Sequence, residues 1–268
     1  MVRNDRSRSS GIRGHVPPES SVTFARNPRS RWSGIRTLSL DGMGTLAQSF
    51  EREGYAVVEA AVSADDLVHV EAQLDALPLD RAGTRNLLNL SWCQRLVGAL
   101  RECDPVASLL PRGAVAIQCT LFEKSHSRNW LVPLHQDVHI PVQERIEHPS
   151  LTGWSEKEGI LYVLPPPEVL EALVAVRVHI HACTSANGPL RVVPGSHRHG
   201  RLSESSVAAA RSESSEKVCL VVAGGALVMK PLLLHASSKA TKPSLRRVLH
   251  FLFGPRDLPY GLRYAHAV

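Results

Sequence analysis

The chain has 268 residues, 43% of them apolar and 21% charged, which allows a sizeable buried core in one large domain or two small ones. Its longest apolar run, Val218 to Met229, falls short of the roughly 20 residues a helix needs to cross a bilayer, so no membrane span is expected. The net charge of +6 belongs to one end: residues 1–40 hold eight arginines, no lysine and only Asp5 and Glu19, the remainder is close to neutral, and a nucleic-acid-binding fold is not indicated.

Residues 1–45 read as a basic N-terminal extension, rich in Arg, Ser, Gly and Pro and without an apolar period, and so disordered. A solvated tail, an electrostatic tether and an organelle-targeting peptide all fit that composition. Five cysteines (Cys93, Cys103, Cys119, Cys183 and Cys219) are odd in number and never spaced C-x-x-C. That argues against a disulfide framework or zinc ribbon and suits a reducing, cytoplasmic setting.

The folded domain is expected over residues 46–268, with order beginning near Phe50. "GYAVVEAAV" reads as a strand, and Ser63 with Asp66 opens a helix as a short version of the capping box. Leu67, Val70, Leu74 and Leu77 then give that helix one buried stripe. A second helix is expected over Ser91 to Glu102. From about Ala114 the texture changes to short β-type runs: "AVAIQCTLF", "LVPLHQDVHI", "GILYVL", "VAVRVHI", "LRVV", "KVCLVVAGGALVMK" and "LRRVLHFLF". Turn signals such as Asn187-Gly188-Pro189 separate them, and one brief helix is expected at Pro167–Leu173. The pattern is mainly β with flanking helices, as in a sandwich or jelly roll. Residues 201–217 are polar and Ser-rich and read as a long surface loop or a lid.

The segment "LVPLHQDVHI", residues 131–140, carries the chemistry. As one strand it would put Val132, Leu134, Val138 and Ile140 on one face and His135, Asp137 and His139 on the other. His135 and Asp137 would then lie about 7 Å apart at Cα, close enough to converge on one ion. His235, ending "LVMKPLLLH", is a good third ligand. Two histidines and one carboxylate form the facial triad of non-haem Fe(II) oxygenases, which leaves positions open for a bidentate cosubstrate and O₂. Arg246, eleven residues after His235, offers a planar fork for a remote carboxylate, and Arg247 is the neighbouring alternative. His139 lines the pocket or faces solvent. Rival pairs are His179 with His181, which lack a nearby carboxylate, and His197 with His199, followed by Glu204 at a cupin-like spacing but without the glycines expected there.

"HQD" at 135–137, "NGPLRVVPGSHRHG" at 187–200 and "H-A-S…LRRVLHF" at 235–251 together resemble the phytanoyl-CoA dioxygenase family. "GYAVVEAAVSADDL" and "GTRNLL" resemble its bacterial members, and the likeness extends over residues 50–255. The resemblance implies a double-stranded β-helix (cupin-like jelly roll) and an Fe(II)- and 2-oxoglutarate-dependent dioxygenase, with O₂ as co-reactant and ascorbate as a supporting reductant. It implies His135, Asp137 and His235 as catalytic metal ligands, and it favours Arg246 over Arg247 for the far carboxylate of 2-oxoglutarate. Ser237 and Lys124 match further cosubstrate contacts, Trp154 sits about one residue from a pocket tryptophan, and Gln118 resembles a substrate contact of ectoine hydroxylases. The carboxylate at Asp137, which halogenating relatives lack, implies hydroxylation. His181 stands where many relatives carry an acidic residue.

The reading is a hydroxylase of an unactivated C–H bond in a small molecule, releasing succinate and CO₂, with no nucleic-acid partner. Two alternatives are a cupin-like metal protein using His197, His199 and Glu204, and an interaction protein acting through its Arg-rich tail. Neither the substrate nor the oligomeric state is written in the sequence; Arg177 and Arg191 are candidates for meeting an anionic substrate.

Overall fold

The computed structural model describes residues 45–77, 83–213 and 215–268. The basic extension expected over residues 1–45 lies, but for Thr45, outside the described residues. In chain order the elements are α1 (Leu46–Glu53), β1 (Tyr55–Val58), α2 (Ala64–Asp75), β2 (Gly83–Thr84), α3 (Ser91–Glu102), α4 (Asp104–Ala107), β3 (Val115–Lys124), β4 (Val132–His135) and β5 (Ile140–Val142). They continue with β6 (Thr152–Lys157), β7 (Ile160–Leu164), α5 (Pro167–Glu171), β8 (Val174–His179), β9 (Leu190–Val192), α6 (Glu204–Glu213), β10 (Lys217–Cys219), β11 (Ala226–Met229), β12 (His235–Ser237) and β13 (Arg246–Gly254).

All pairings are antiparallel. The strands form a six-stranded sheet β1-β11-β8-β13-β3-β2, a four-stranded sheet β10-β9-β12-β4 and a three-stranded sheet β5-β7-β6. Apart from the β6–β7 hairpin, most neighbours in the sheets are far apart in sequence, and this crossed order is that of a double-stranded β-helix. Alternation along the large sheet separates two cores. Val174, Val176, Val178, Leu249, Phe251 and Phe253 pack outward with Val70 and Leu74 of α2 and Leu96 and Val97 of α3. Ala175, Leu227, Met229 and Leu252 face inward, with Val192 and Val163 in the same core. Each fully buried Leu, Val or Phe contributes roughly 1.5–3 kcal/mol, so the two faces fix the register firmly.

Local signals behave as their chemistry predicts at several points. Ser63 caps α2, its side chain accepting from the Asp66 N–H while its hydroxyl donates to the Asp66 carboxylate at 2.6 Å. Helix α3 spans Ser91–Glu102 as the periodicity predicts.

Elsewhere the structure differs from the sequence reading. Order extends further toward the N-terminus through α1, which Thr45 and Gln48 close with a full capping box and Gly54 ends in the left-handed conformation. Residues 131–140 are not one strand: β4 stops at His135, β5 begins at Ile140, and Gln136 to His139 run between them. The polar excursion at 201–217 contains helix α6, and "KVCLVVAGGALVMK" is two strands parted by a turn at Gly224-Gly225.

Candidate metal centre and its cavity

The break after His135 is what aims Asp137. The Asp137 N–H donates to the Pro231 carbonyl at 2.9 Å, so the chain leaves the sheet and turns its carboxylate toward β12. Gln136 holds the turn from the other side, donating to the carbonyls of Gly200 at 2.9 Å and Leu232 at 2.6 Å and accepting from the Leu202 N–H at 2.8 Å. His235 opens β12, where it lies opposite His135 on one side and Val192 on the other.

One carboxylate oxygen of Asp137 lies 3.7 Å from His135 Nε2, and the other lies 3.6 Å from His235 Nε2. Taken as three ligand atoms, the set lies within 4.8 Å of one another and is the one such group among the described residues. Each histidine commits its other nitrogen to the backbone. His135 Nδ1 meets the Pro133 carbonyl and His235 Nδ1 the Leu233 carbonyl, both at 2.9 Å. A carbonyl only accepts, so both Nδ1 atoms carry the proton and both Nε2 lone pairs face Asp137. This is the tautomer a metal needs, held by the outer contacts a ligating histidine uses. Burial alone would raise the Asp137 pKa, but His235, His135 and His250 hold it well below the ordinary carboxylate range. Burial pushes His235 down to about 4, so the imidazole is neutral at pH 7. The donor set therefore fits a divalent ion such as Fe(II).

His250 is a third histidine beside the same carboxylate, its Nε2 lying 3.7 Å from Asp137 Oδ2. Its Nδ1 meets Arg177 Nη1 at 2.9 Å, and because a guanidinium only donates, this Nδ1 accepts. The proton of His250 thus sits on Nε2 and points at Asp137. Burial, then Arg177, lowers its pKa to about 3, which keeps it neutral. His250 supports the carboxylate and offers it no lone pair. Sequence reasoning missed this residue, although strand alternation from Arg246 through 248 to 250 places it on the same inward face.

The triad opens into a cavity of about 320 Å³, at the low end for a small-molecule site. At one end Arg246, 4% exposed, donates to the Gly188 carbonyl at 2.9 Å, while its Nε is buried without a partner. Lys124 Nζ donates to Ser237 Oγ at 2.8 Å and to the Ser238 carbonyl at 2.6 Å, and Ser237 in turn donates to Gly188 at 3.0 Å. Burial, then the Arg246 charge, pushes Lys124 down to about 8. Among the described residues no carboxylate pairs with either cation, and buried charge without a counter-ion favours binding of an anion. A dicarboxylate cosubstrate fits this end.

The remaining candidates sort cleanly. Gln118 lines the cavity with its Oε1 buried and unpartnered, and its Nε2 donates to Thr120 at 3.0 Å. His139 lines the cavity as well. Trp154 does not line it: its indole donates to the Leu151 carbonyl at 3.2 Å and stacks under Arg145, whereas Trp130 is in the wall beside Lys124. Arg247 faces the other side of β13, bound to Glu123 at 2.8 Å and to Asp75 of α2. His181 turns outward to Glu71 at 2.8 Å and accepts from the Arg247 N–H. Arg191 is occupied by Glu216 at 2.8 Å and by Ser238. Arg177 lies in the cavity wall, 8% exposed, with its Nε unpartnered. The cupin-like alternative is not assembled, for His197 Nε2 meets the Glu51 carbonyl at 3.1 Å, away from Glu204 at the start of α6.

A jelly roll of this kind, with two histidines and a carboxylate at one end of its cavity, is the frame of a non-haem iron oxygenase. The sequence model of phytanoyl-CoA dioxygenase (PhyH) matches residues 50–248, and the chain belongs to that family. It is accordingly a 2-oxoglutarate-dependent non-haem iron oxygenase, with Fe(II) as its metal and 2-oxoglutarate as cosubstrate. Among solved structures, AviO1 from Streptomyces viridochromogenes Tue57 is 19% identical, with a TM-score of 0.55 over 81% of this chain and 99% of that one. EctD from S. alaskensis in its apoform is 20% identical, with a TM-score of 0.59 over 82% of this chain and 84% of that one. SnoK, an alpha-ketoglutarate-dependent carbocyclase from nogalamycin biosynthesis, is 12% identical, with a TM-score of 0.57 over 79% and 83%. At these identities the likeness speaks for the fold. No curated protein matches the sequence.

Proposed function

We propose that the domain formed by residues 46–268 hydroxylates an unactivated C–H bond of a small molecule, with His135, Asp137 and His235 as the iron ligands. The observation that carries this reading is the pair of Nε2 lone pairs facing one carboxylate at 3.7 and 3.6 Å, at one wall of a cavity with buried, unpaired cations at the other. Bound Fe(II), with 2-oxoglutarate and O₂, supplies the C–H oxidation, and succinate and CO₂ are the co-products. The protein does the rest. His135, Asp137 and His235 would hold the ion with a single protein charge, which would keep the site receptive to an anionic chelator. Arg246 binds the far carboxylate of 2-oxoglutarate through its planar fork, and Lys124 and Ser237 fix its orientation. Phe122, Val132, Val138 and Leu252 wall the cavity and exclude water from the reacting carbon. Asp137 occupies a position that a halide would need, which favours hydroxylation.

The test is succinate release from 2-oxoglutarate by purified protein with Fe(II) and ascorbate and no added substrate. Slow turnover is expected in the wild type, loss in His135→Ala and marked weakening in Arg246→Ala. An inactive wild type that also binds no 2-oxoglutarate in the presence of Fe(II) would overturn the reading.

A further inference from the structure

The cavity wall carries further cations that cosubstrate binding leaves unanswered. Five cationic side chains line it (Arg85, Lys124, Lys157, Arg177 and Arg246) against one carboxylate, Asp137, so the wall is positive before any ligand arrives. Fe(II) and the 2-oxoglutarate dianion carry equal and opposite charges, and their arrival together leaves that excess in place. Arg85 is answered by Glu158 at 3.0 Å, and Arg246 and Lys124 face the cosubstrate. Arg177 donates to His250 Nδ1 at 2.9 Å and lies over the ring of Phe122, which leaves Lys157, the last residue of β6, as the remaining cation.

Lys157 stands over the ring of Tyr162 at 5.0 Å, and no carboxylate pairs with it among the described residues. Its ammonium is disfavoured first by burial and then by Arg85, with Asp137 alone acting in its favour. His139 and Arg85 line the same cavity as Lys157. Tyr162 lines the same cavity, and its buried hydroxyl lacks a partner. A lysine kept partly from water without a counter-charge is stabilised by whatever anion fills the space before it.

Resting on the oxygenase reading above, we propose that Lys157, with Arg85 and Tyr162 beside it, binds an anionic headgroup of the substrate, a carboxylate or a phosphate monoester on a small organic molecule. Val138 and Leu252, which line the same cavity, take the apolar part.

The test uses the full chain under anaerobic conditions with Fe(II) and saturating 2-oxoglutarate, titrated calorimetrically with hexanoate, hexyl phosphate and hexanol. Wild-type protein is expected to bind at least one of the two anions and to prefer it over hexanol, and the better anion identifies the headgroup. Lys157→Glu is expected to weaken that anion by about tenfold or more, Lys157→Arg to keep it within about threefold, and both to bind 2-oxoglutarate as the wild type does. The conservative variant controls for misfolding. Anion binding that is absent in the wild type, no tighter than hexanol, or unchanged in Lys157→Glu overturns the subsite while normal 2-oxoglutarate binding leaves the oxygenase reading standing. A wild type that binds no 2-oxoglutarate in the presence of Fe(II) overturns the oxygenase reading instead, and the subsite with it.

Discussion

His235 and His250 approach the same oxygen of Asp137, at 3.6 and 3.7 Å, yet they present it with opposite faces of imidazole chemistry. His235 donates its Nδ1–H to a backbone carbonyl and turns a lone pair inward, while His250 accepts a hydrogen bond from Arg177 at Nδ1 and turns an N–H inward. Only the first can ligate a metal. Removing His235 or His135 by alanine is expected to abolish stoichiometric iron, and His250→Phe to retain it, as read by metal analysis of the purified variants. The same metal should raise thermal stability: at a concentration of 100 times its Kd, a bound ion adds about 2.7 kcal/mol, lost on chelation in the wild type and absent in His135→Ala.

Arg246 and Arg247 are neighbours with separate duties on opposite faces of β13. Arg246→Ala should weaken 2-oxoglutarate by about 2–5 kcal/mol, the range for truncating a buried charge that pairs with a ligand, with little change in melting temperature. Arg247→Ala should do the reverse. It parts α2 from the sheet and leaves Glu123 with Arg128 alone, costing about 1–3 kcal/mol of stability while 2-oxoglutarate affinity holds. Equal loss of affinity in both variants would contradict this division.

Gly188 is fixed by geometry. Its φ is +76°, and a Cβ there would meet the Ser238 carbonyl at 2.6 Å and Lys124 Nζ at 3.0 Å. Its own carbonyl accepts from both Arg246 and Ser237. Gly188→Ala is expected to retain iron and to lose about tenfold or more in 2-oxoglutarate affinity, since one methyl group displaces three of the cosubstrate's contacts. An unaltered affinity would place the cosubstrate elsewhere.

With Lys124 in the proposed cosubstrate site, its titration is expected to set a pH limit on 2-oxoglutarate binding. Burial and then Arg246 push its pKa down to about 8, so the ammonium that meets an anion is lost as pH rises through that value. The affinity for 2-oxoglutarate should therefore fall above pH 8, by up to about tenfold per pH unit, and Lys124→Met should flatten the profile. The ligand-free protein should behave oppositely. Between pH 8 and the ordinary lysine pKa of about 10.4, the unfolded chain binds more protons at this site, so stability rises with pH. Calorimetric titration and thermal melts across the same pH series check both signs.

The sequence carried the triad well because its parts are local or regularly spaced. His135 and Asp137 are two residues apart, and His235 and Arg246 open the consecutive strands β12 and β13. The strand assigned across 131–140 was wrong in its middle because Gln136 fastens the chain to Gly200, Leu202 and Leu232, contacts that no local pattern announces. Trp154 and Trp130 are exchanged for a similar reason: which tryptophan meets Lys124 depends on how the hairpin β6–β7 folds back. Lys157 and Arg85 were invisible as a pair. They lie on segments more than seventy residues apart, joined by Arg85 gripping Glu158 across that gap.

The register that sets His135 opposite His235 has a meaning for the chain as a polymer. An ion shared by these two residues ties off a loop of a hundred residues that contains the hairpin β6–β7, strand β8 and the whole excursion around α6. A covalent bridge across so long a span restricts the unfolded chain by about 4.7 kcal/mol in the entropic account, and a metal clip acts in the same sense, scaled by its affinity. Iron held at this triad would thus be a reversible crosslink as well as a reagent, and its removal would take away a chemical step and also unfasten the middle of the protein.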